Sequence, residues 1–433
     1  AMTVSEAGNR EGLLNAVIRE SGLNTDAPQV ELRAREGKIH ADLSVGADVT
    51  SAQSLLANEK LCSPGVKLHG SGFIVTPQQA ASLGLGKIDG LEKIIRPYRN
   101  GHDLTGHPRG VMVIDLFGLR AEEVQKQFPA VYQWVADRVK PERDSNNRKS
   151  YRETWWIFGE PRKDLRPALK DLPRNIATVE TAKHRFFQFL DAKILADNKL
   201  IVIASSDAFD LAVLSSRTHR AWYLGNAGKL GVYDRDAVYV KSLCFDPFPF
   251  PETSEAQKAR FRDLGERLDM HRKDVMAKHK QLTMTGMYNV LEKVRAGEEL
   301  TDSEKDVYDA GLIGVLRQIH DDLDAAVADA YGWPADLPEA EILERLVALN
   351  HERAAEERDG KVRWLRPEFQ APKEVAAKKG HQIEAELFVA EEGGKKPKLP
   401  TKLPEQVAAV RAMLEAEEIA ISAAALARRF AQG

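Results

Sequence analysis

Two polar stretches hold the side chains best suited to chemistry. Arg96-Pro97-Tyr98-Arg99-Asn100-Gly101-His102-Asp103 gathers two guanidiniums, a phenol, an amide and an imidazole, with Arg109 close behind. Arg143-Asp144-Ser145-Asn146-Asn147-Arg148-Lys149-Ser150-Tyr151-Arg152 adds three arginines, a lysine and two asparagines. Arg pairs bidentately with guanine and Asn with adenine, while Lys and Ser suit phosphate oxygens. The same composition also describes a plain hydrophilic loop. Candidate nucleic-acid contacts are therefore Arg96, Tyr98, Arg99, Asn100, His102, Arg109, Arg143, Asn146, Asn147, Arg148, Lys149 and Arg152, joined by Lys183 and Arg217.

Templates for catalysis find little support. There is no Gly-x-Ser-x-Gly elbow and no Gly-x-x-x-x-Gly-Lys-Ser/Thr phosphate loop. Gly84-Leu85-Gly86 is a fragment of a dinucleotide fingerprint without a clear strand before it, and reads as a loop. His102, Asp103 and His107 lack a third nitrogen or sulfur ligand at metal spacing. Glu180 with Lys183 matches half of a metal-dependent nuclease site, but the clustered acids that would hold Mg²⁺ cannot be placed. Asp246-Pro247-Phe248-Pro249 approximates the Asp/Asn-Pro-Pro-Tyr/Phe loop of amino-methyltransferases, with Phe248 where the second proline belongs. It reads better as a proline-locked turn with Phe245, Phe248 and Phe250 packed inward, and Trp155-Trp156 reads as core. No metal site and no catalytic residue is assigned.

The 433 residues exceed one typical domain of ~150, so two or three domains are expected. Hydrophobic residues at 43% and charged ones at 29% fit a globular chain and exclude global disorder. No apolar run reaches the ~20 residues of a membrane span, and no leader peptide opens the chain. Cys62 and Cys244, far apart in sequence, fit a reducing cytoplasm. The net charge of −3 hides an asymmetry. From Val66 to Phe250 there are 28 Lys and Arg against 21 Asp and Glu, a net of +7, which leaves −10 for the remainder. A basic middle between acidic flanks suits a domain that faces a polyanion.

The elements that would position these residues form a mixed α/β domain over 66–252. Strands are expected at Val66–Val75, Gly110–Leu116, Asn175–Val179, Arg185–Leu190 and Lys199–Ala204 by alternation and β-branched runs. Thr76-Pro77 opens a helix, Ala121–Val139 has helical spacing broken near Pro129, and Ala208–Leu224 returns to helical period. Before this domain, residues 1–65 are weakly patterned. Glu11–Glu20 suggests a short helix, and Val30–Arg33 with Ile39–Leu43 a hairpin turning at Glu36-Gly37-Lys38. After it, 253–370 is mainly helical, with a stop at Gly332-Trp333-Pro334. Residues 371–403 read as a linker, and 404–433 as a small helix-turn-helix-like module.

Taken in order, Ile95–Leu104, Arg109–Leu116, Tyr151–Trp156, Leu211–Trp222 and Lys241–Pro251 resemble the target-recognition region of bacterial DNA adenine methyltransferases of the type IIG/IIL, MmeI-like, restriction–modification and phage-defence class. Asp324–Trp333, Ile342–Asn350 and Arg363–Pro367 are similar to the helical C-terminal region of those proteins, so the resemblance runs over roughly residues 30–370. It implies sequence-specific binding of double-stranded DNA by this chain. It also implies S-adenosylmethionine-dependent methylation of adenine N6 by a separate catalytic domain, present in cis or in trans, of which 1–65 would be the trailing edge. Neither catalytic motif of the class stands in this sequence, so the chain alone is expected to be catalytically inactive and to hold no cofactor. Two other readings are a complete enzyme with its own methyl-transfer or nuclease site, and a protein–protein scaffold that uses the acidic helical tail.

Overall fold

A computed structural model describes residues 12–22, 25, 29–37, 39, 45–226, 228–229, 237–373, 400 and 403–415. The chain divides into two units, Ala1–Arg363 and Trp364–Gly433. The first opens with an antiparallel hairpin of β1 (Gly12–Ser21) and β2 (Gln29–Gly37), with Val17 opposite Leu32 and Leu13 opposite Glu36. This corrects the helix expected at Glu11–Glu20. Leu13, Leu14, Val17 and Ile18 have helical spacing, but pairing with β2 satisfies the same backbone groups along the whole segment. The strand predicted at Val30–Arg33 exists, but its partner lies upstream. β2 runs through the expected turn to Gly37, and Ile39 makes only a bridge to Val45.

The α/β domain carries two four-stranded sheets. One has the order β10-β5-β6-β4, from β4 (Ile74–Val75), β5 (Ile95–Arg99), β6 (Met112–Ile114) and β10 (Leu195–Ala196); only β10–β5 is parallel. The other is antiparallel in the order β3-β11-β7-β9, from β3 (Cys62–Pro64), β7 (Arg174–Val179), β9 (Gln188–Asp191) and β11 (Leu200–Ile203). A small sheet adds β8 (Thr181–Ala182), β12 (Gly228–Lys229) and β13 (Ala237–Val238). Helices α1 (Pro77–Ser82), α2 (Gly101–Thr105), α3 (Ala121–Gln127), α4 (Pro129–Arg138), α5 (Lys140–Asp144), α6 (Lys149–Glu153) and α7 (Leu165–Leu169) surround the first sheet. Phe73, Ile95, Val113, Ile114, Val124, Val135 and Phe158 form its core.

Local chemistry sets the boundaries. Thr76 caps α1 with Gln79 in a reciprocal capping box, and Pro129 separates α3 from α4. The long strand expected at Val66–Val75 breaks because His69 adopts φ +49° and Ser71–Phe73 forms a 3₁₀ turn. The strand expected at Arg185–Leu190 begins only at Gln188, because the Arg185 guanidinium turns back to the carbonyls of Val179 and Ala237. The helix expected at Ala208–Leu224 divides into α8 (Ala208–Leu214) and α9 (Arg217–Asn226). At the break the Ser216 hydroxyl donates to the Val213 carbonyl at 2.6 Å and accepts from the His219 amide at 3.3 Å.

A helical layer packs directly on this domain. It comprises α10 (Glu255–Lys278), α11 (Met284–Ala296), α12 (Asp302–Ala310), α13 (Ile313–Ala330) and α14 (Glu339–Arg358), with Leu264, Leu268, Leu316, Leu323 and Leu346 buried. α10 approaches α8 so closely that a Cβ on Gly265 would stand 2.3 Å from the Ala208 carbonyl oxygen. The proline-rich segment after Phe245 is the seam. Asn58 Nδ2 lies 3.1, 3.1 and 2.7 Å from the carbonyl oxygens of Phe245, Asp246 and Phe248. Asn350 Nδ2 donates to the carbonyls of Pro247 (2.6 Å) and Gln53 (2.8 Å). In the second unit the described helices are Pro367–Gln370 and Leu403–Glu415. Most of the linker expected over 371–403, and residues 416–433 of the helix-turn-helix-like module expected over 404–433, lie outside the described residues.

Candidate nucleic-acid interface

The strongest concentration of available cations sits on α4, α5, α6 and their connections. Its anchor is Arg143, which is only 1% exposed. Its Nη2 donates to the carbonyls of Leu68 (2.9 Å) and Ile157 (3.1 Å), and its Cζ stands 4.7 Å from the centroid of the buried Tyr151 ring. Expected as a DNA contact, Arg143 instead pins the loop from inside. Around it the loop is exposed. Asn146 Oδ1 accepts from the Arg148 amide at 2.9 Å, closing a tight turn that presents Asn147 and Arg148 to solvent.

Three guanidiniums here have no carboxylate within ion-pair distance among the described residues: Arg138, Arg148 and Arg152. Arg138 stacks over Trp134 at 3.6 Å, Arg148 donates to the Tyr151 hydroxyl at 3.1 Å, and Arg152 donates to the Asn146 carbonyl at 2.5 Å. Lys149 pairs with Glu153 at 3.5 Å, an exposed contact worth ~1 kcal/mol or less and readily exchanged for a phosphate. Such a patch can neutralise backbone phosphates and offer both a guanidinium and an amide to base edges.

The 96–109 stretch behaves differently, and most of its candidate contacts are occupied. Arg96 donates to the carbonyls of Ala192 (2.8 Å) and Lys193 (3.1 Å). Tyr98 is buried, with its hydroxyl 2.5 Å from Asp197; burial and that bond push the phenol pKa up. Arg109 clamps the fully buried Asp103 carboxylate through Nε (3.0 Å) and Nη2 (2.8 Å), and its amide donates to the same group at 2.8 Å. Burial alone would raise the Asp103 pKa, but the bonds from Arg109 outweigh it and hold the carboxyl below its usual range. Asn100 is spent capping α2 in a box with Asp103. Arg99 is half-buried, and burial lowers its pKa. Of this stretch only His102 stands exposed without such an engagement.

Lys183 and Arg217 fall in a third place, a cleft of about 420 Å³ between the α/β domain and the helical layer. Arg220 and Arg295 line it too, but acids balance the cations there. Lys183 faces Glu292 at 3.7 Å, Arg220 pairs with Glu339 at 2.8 Å and Arg295 with Asp321 at 2.9 Å. Arg217 donates to the Leu337 carbonyl at 2.7 Å. The fourteen candidates thus divide among a cationic knob, a structural turn and a charge-balanced cleft.

Sequence reasoning missed Arg138; its signal was the i,i+4 spacing from Trp134. Trp155 and Trp156 belong to the core, the latter donating to the Leu119 carbonyl at 2.9 Å. Glu180 pairs with Lys199 at 2.7 Å, and no cluster of metal-binding side chains occurs among the described residues. No helix of the described residues is long and apolar enough to cross a membrane.

Comparison with known proteins converges on one family. Residues 49–252 match the family described as the target recognition domain of MmeI. No curated protein matches. A solved structure of the type IIL restriction-modification enzyme MmeI in complex with DNA is similar in fold, with a TM-score of 0.56 and 19% identity. The similarity covers 75% of this chain and 40% of that one, so the chain spans less than half the length of that enzyme. With the α/β sheets first and the helical layer behind them, residues 49–252 form an MmeI-like target recognition domain.

Proposed function

We propose that this chain reads the sequence of double-stranded DNA for a restriction–modification methyltransferase, and that the α4–α6 knob makes the groove contact. The observation that carries the reading is the coincidence of the target-recognition match over 49–252 with three guanidiniums, on 138–152, that no described carboxylate neutralises. Arg148 and Asn147 would face base edges; Arg138, Lys149 and Arg152 would take phosphates. Arg143 and Asp103 hold these surfaces in shape and do not touch DNA.

Methyl transfer to adenine N6 is assigned to a catalytic domain acting in cis or in trans, in the bacterial cytoplasm and in the service of phage defence. S-adenosylmethionine supplies the methyl group there. This chain is expected to hold none of it: a glycine-rich turn from strand to helix would be needed, whereas Gly84 and Gly86 lie after the end of α1 in turns with φ +102° and +81°.

The test is enrichment of a randomised duplex library on the full chain, followed by binding of the enriched duplex at several salt concentrations. One recovered motif is expected, with affinity falling steeply as salt rises. Recovery of unselected sequence by wild-type protein would refute base reading.

A further inference from the structure

We propose that Tyr151 is a positioning residue, which aims the Arg148 guanidinium at a guanine of the recognised sequence without touching DNA itself. This rests on the reading of the α4–α6 knob as the groove contact. It adds the base that the knob selects and the side chain that enforces the selection.

Tyr151 lies in the middle of α6 and is 6% exposed. Two contacts hold its ring. Arg143 Cζ stands 4.7 Å from the ring centroid, and the His69 ring packs against it at 5.1 Å between centroids, tilted by 47°. His69 takes this place with a left-handed backbone, φ +49°, and beside Gly159, where a Cβ would collide with the imidazole. Backbone of that kind persists only where its surroundings over-determine it. A ring fixed in this way fixes its hydroxyl.

That hydroxyl accepts a hydrogen bond from Arg148 Nη1 at 3.1 Å. The main chain of Arg148 is tied down as well. Its amide donates to Asn146 Oδ1 at 2.9 Å, and its carbonyl accepts from the Tyr151 amide at 3.1 Å. Among the described residues the Tyr151 hydroxyl is the one acceptor on this guanidinium. The Nε and Nη2 edge is therefore left as a pair of parallel donors pointing in a set direction. Guanine is the base that sets two acceptors, O6 and N7, side by side in the major groove. Adenine pairs its one acceptor with a donor there, cytosine offers a donor, and thymine offers one acceptor beside a methyl group. A fork of donors held in place thus selects guanine. An arginine free to swing would equally reach phosphate oxygens, which carry no sequence information, and would lose more freedom on docking.

The test titrates each chain with the duplex enriched on the wild type and with a set of duplexes that each replace one base pair. Discrimination is a ratio of affinities within one chain, so it is read even where part of a variant is unfolded. A G·C pair is expected at the position where Arg148→Ala loses discrimination. Tyr151→Phe keeps the ring and removes only the hydroxyl. It is expected to lower discrimination at that same position by about fivefold or more and to leave the other positions as in wild type. The double variant should discriminate there no worse than Arg148→Ala alone, because the two side chains act as one. A merely structural tyrosine would weaken all duplexes alike. That uniform weakening, wild-type discrimination by Tyr151→Phe at the position that Arg148→Ala relaxes, or a pair other than G·C at that position overturns the proposal and leaves the knob reading standing. An Arg148→Ala chain with wild-type discrimination at every position overturns the knob reading and this proposal with it.

Discussion

Replacing Arg143 by Ala separates the structural arginine from the exposed ones beside it. The change removes the donors to the carbonyls of Leu68 and Ile157. The Leu68 carbonyl keeps the Gly159 amide at 3.2 Å, but the Ile157 carbonyl is orphaned, at a cost of ~1–3 kcal/mol. Loss of the stacking on Tyr151 adds ~0.5–2 kcal/mol. Against this, a guanidinium no longer has to be kept out of water, and its release offsets several kcal/mol. A net loss of about 1–2 kcal/mol remains, in the ordinary range of destabilising mutations. Urea denaturation followed by tryptophan fluorescence reads it, since Trp134, Trp155 and Trp156 all belong to this half of the domain. Arg148→Ala, exposed and attached only to Tyr151, should change stability by less than ~0.5 kcal/mol while weakening DNA binding. If Arg143→Ala were as stable as wild type and lost DNA binding like Arg148→Ala, Arg143 would be a contact after all and its assignment as an internal pin would be wrong.

Other perturbations have signs worth stating. Gly265→Ala lies inside α10, where Ala ordinarily gains ~1 kcal/mol over Gly. Here the new Cβ would meet the Ala208 carbonyl oxygen at 2.3 Å, so thermal unfolding should show destabilisation instead. Asn350→Ala leaves the carbonyls of Pro247 and Gln53 without their donor, and a loss of about 2–4 kcal/mol is expected in the same assay. Burial raises the Asp210 carboxyl from its ordinary 3.8 to about 7, although Ser205 donates a hydrogen bond to it. The folded state therefore holds a proton that the unfolded state has released. This contribution is complete below pH ~4 and is lost as pH rises towards 7, up to ~4 kcal/mol in all. Asp210→Asn should flatten stability across that window; an unchanged pH profile would count against the assignment.

Sequence alone carried the elements whose signals are local. Thr76 with Gln79 marked the start of α1, Pro129 the joint between α3 and α4, and the β-branched runs at 175–179 and 200–203 the two central strands. It failed where tertiary pairing overrode periodicity, as at 12–21, which pairs with 29–37 instead of coiling. The site divided in the same way. The Arg/Asn loop picked out in the sequence is exposed at Asn147, Arg148, Lys149 and Arg152. Composition could not show that Asp103 consumes Arg109, that two carbonyls draw Arg143 inside, or that Lys183 and Arg217 sit among balancing acids. A charge's use depends on its partners, and those partners can lie 120 residues away, as for the Arg217 guanidinium and the Leu337 carbonyl. Arg138 shows the reverse case, a contact candidate whose only clue was a tryptophan one helical turn earlier.

The most direct test is the salt dependence of binding to the enriched duplex, with wild-type chain beside Arg148→Ala. Three cations assigned to phosphates, Arg138, Lys149 and Arg152, predict a slope of log affinity against log salt of about −3. Losing Arg148, assigned to a base edge, should leave that slope nearly unchanged and relax discrimination at one base position. A wild-type affinity indifferent to salt, or an Arg148→Ala chain with the sequence preference of wild type, would contradict the account.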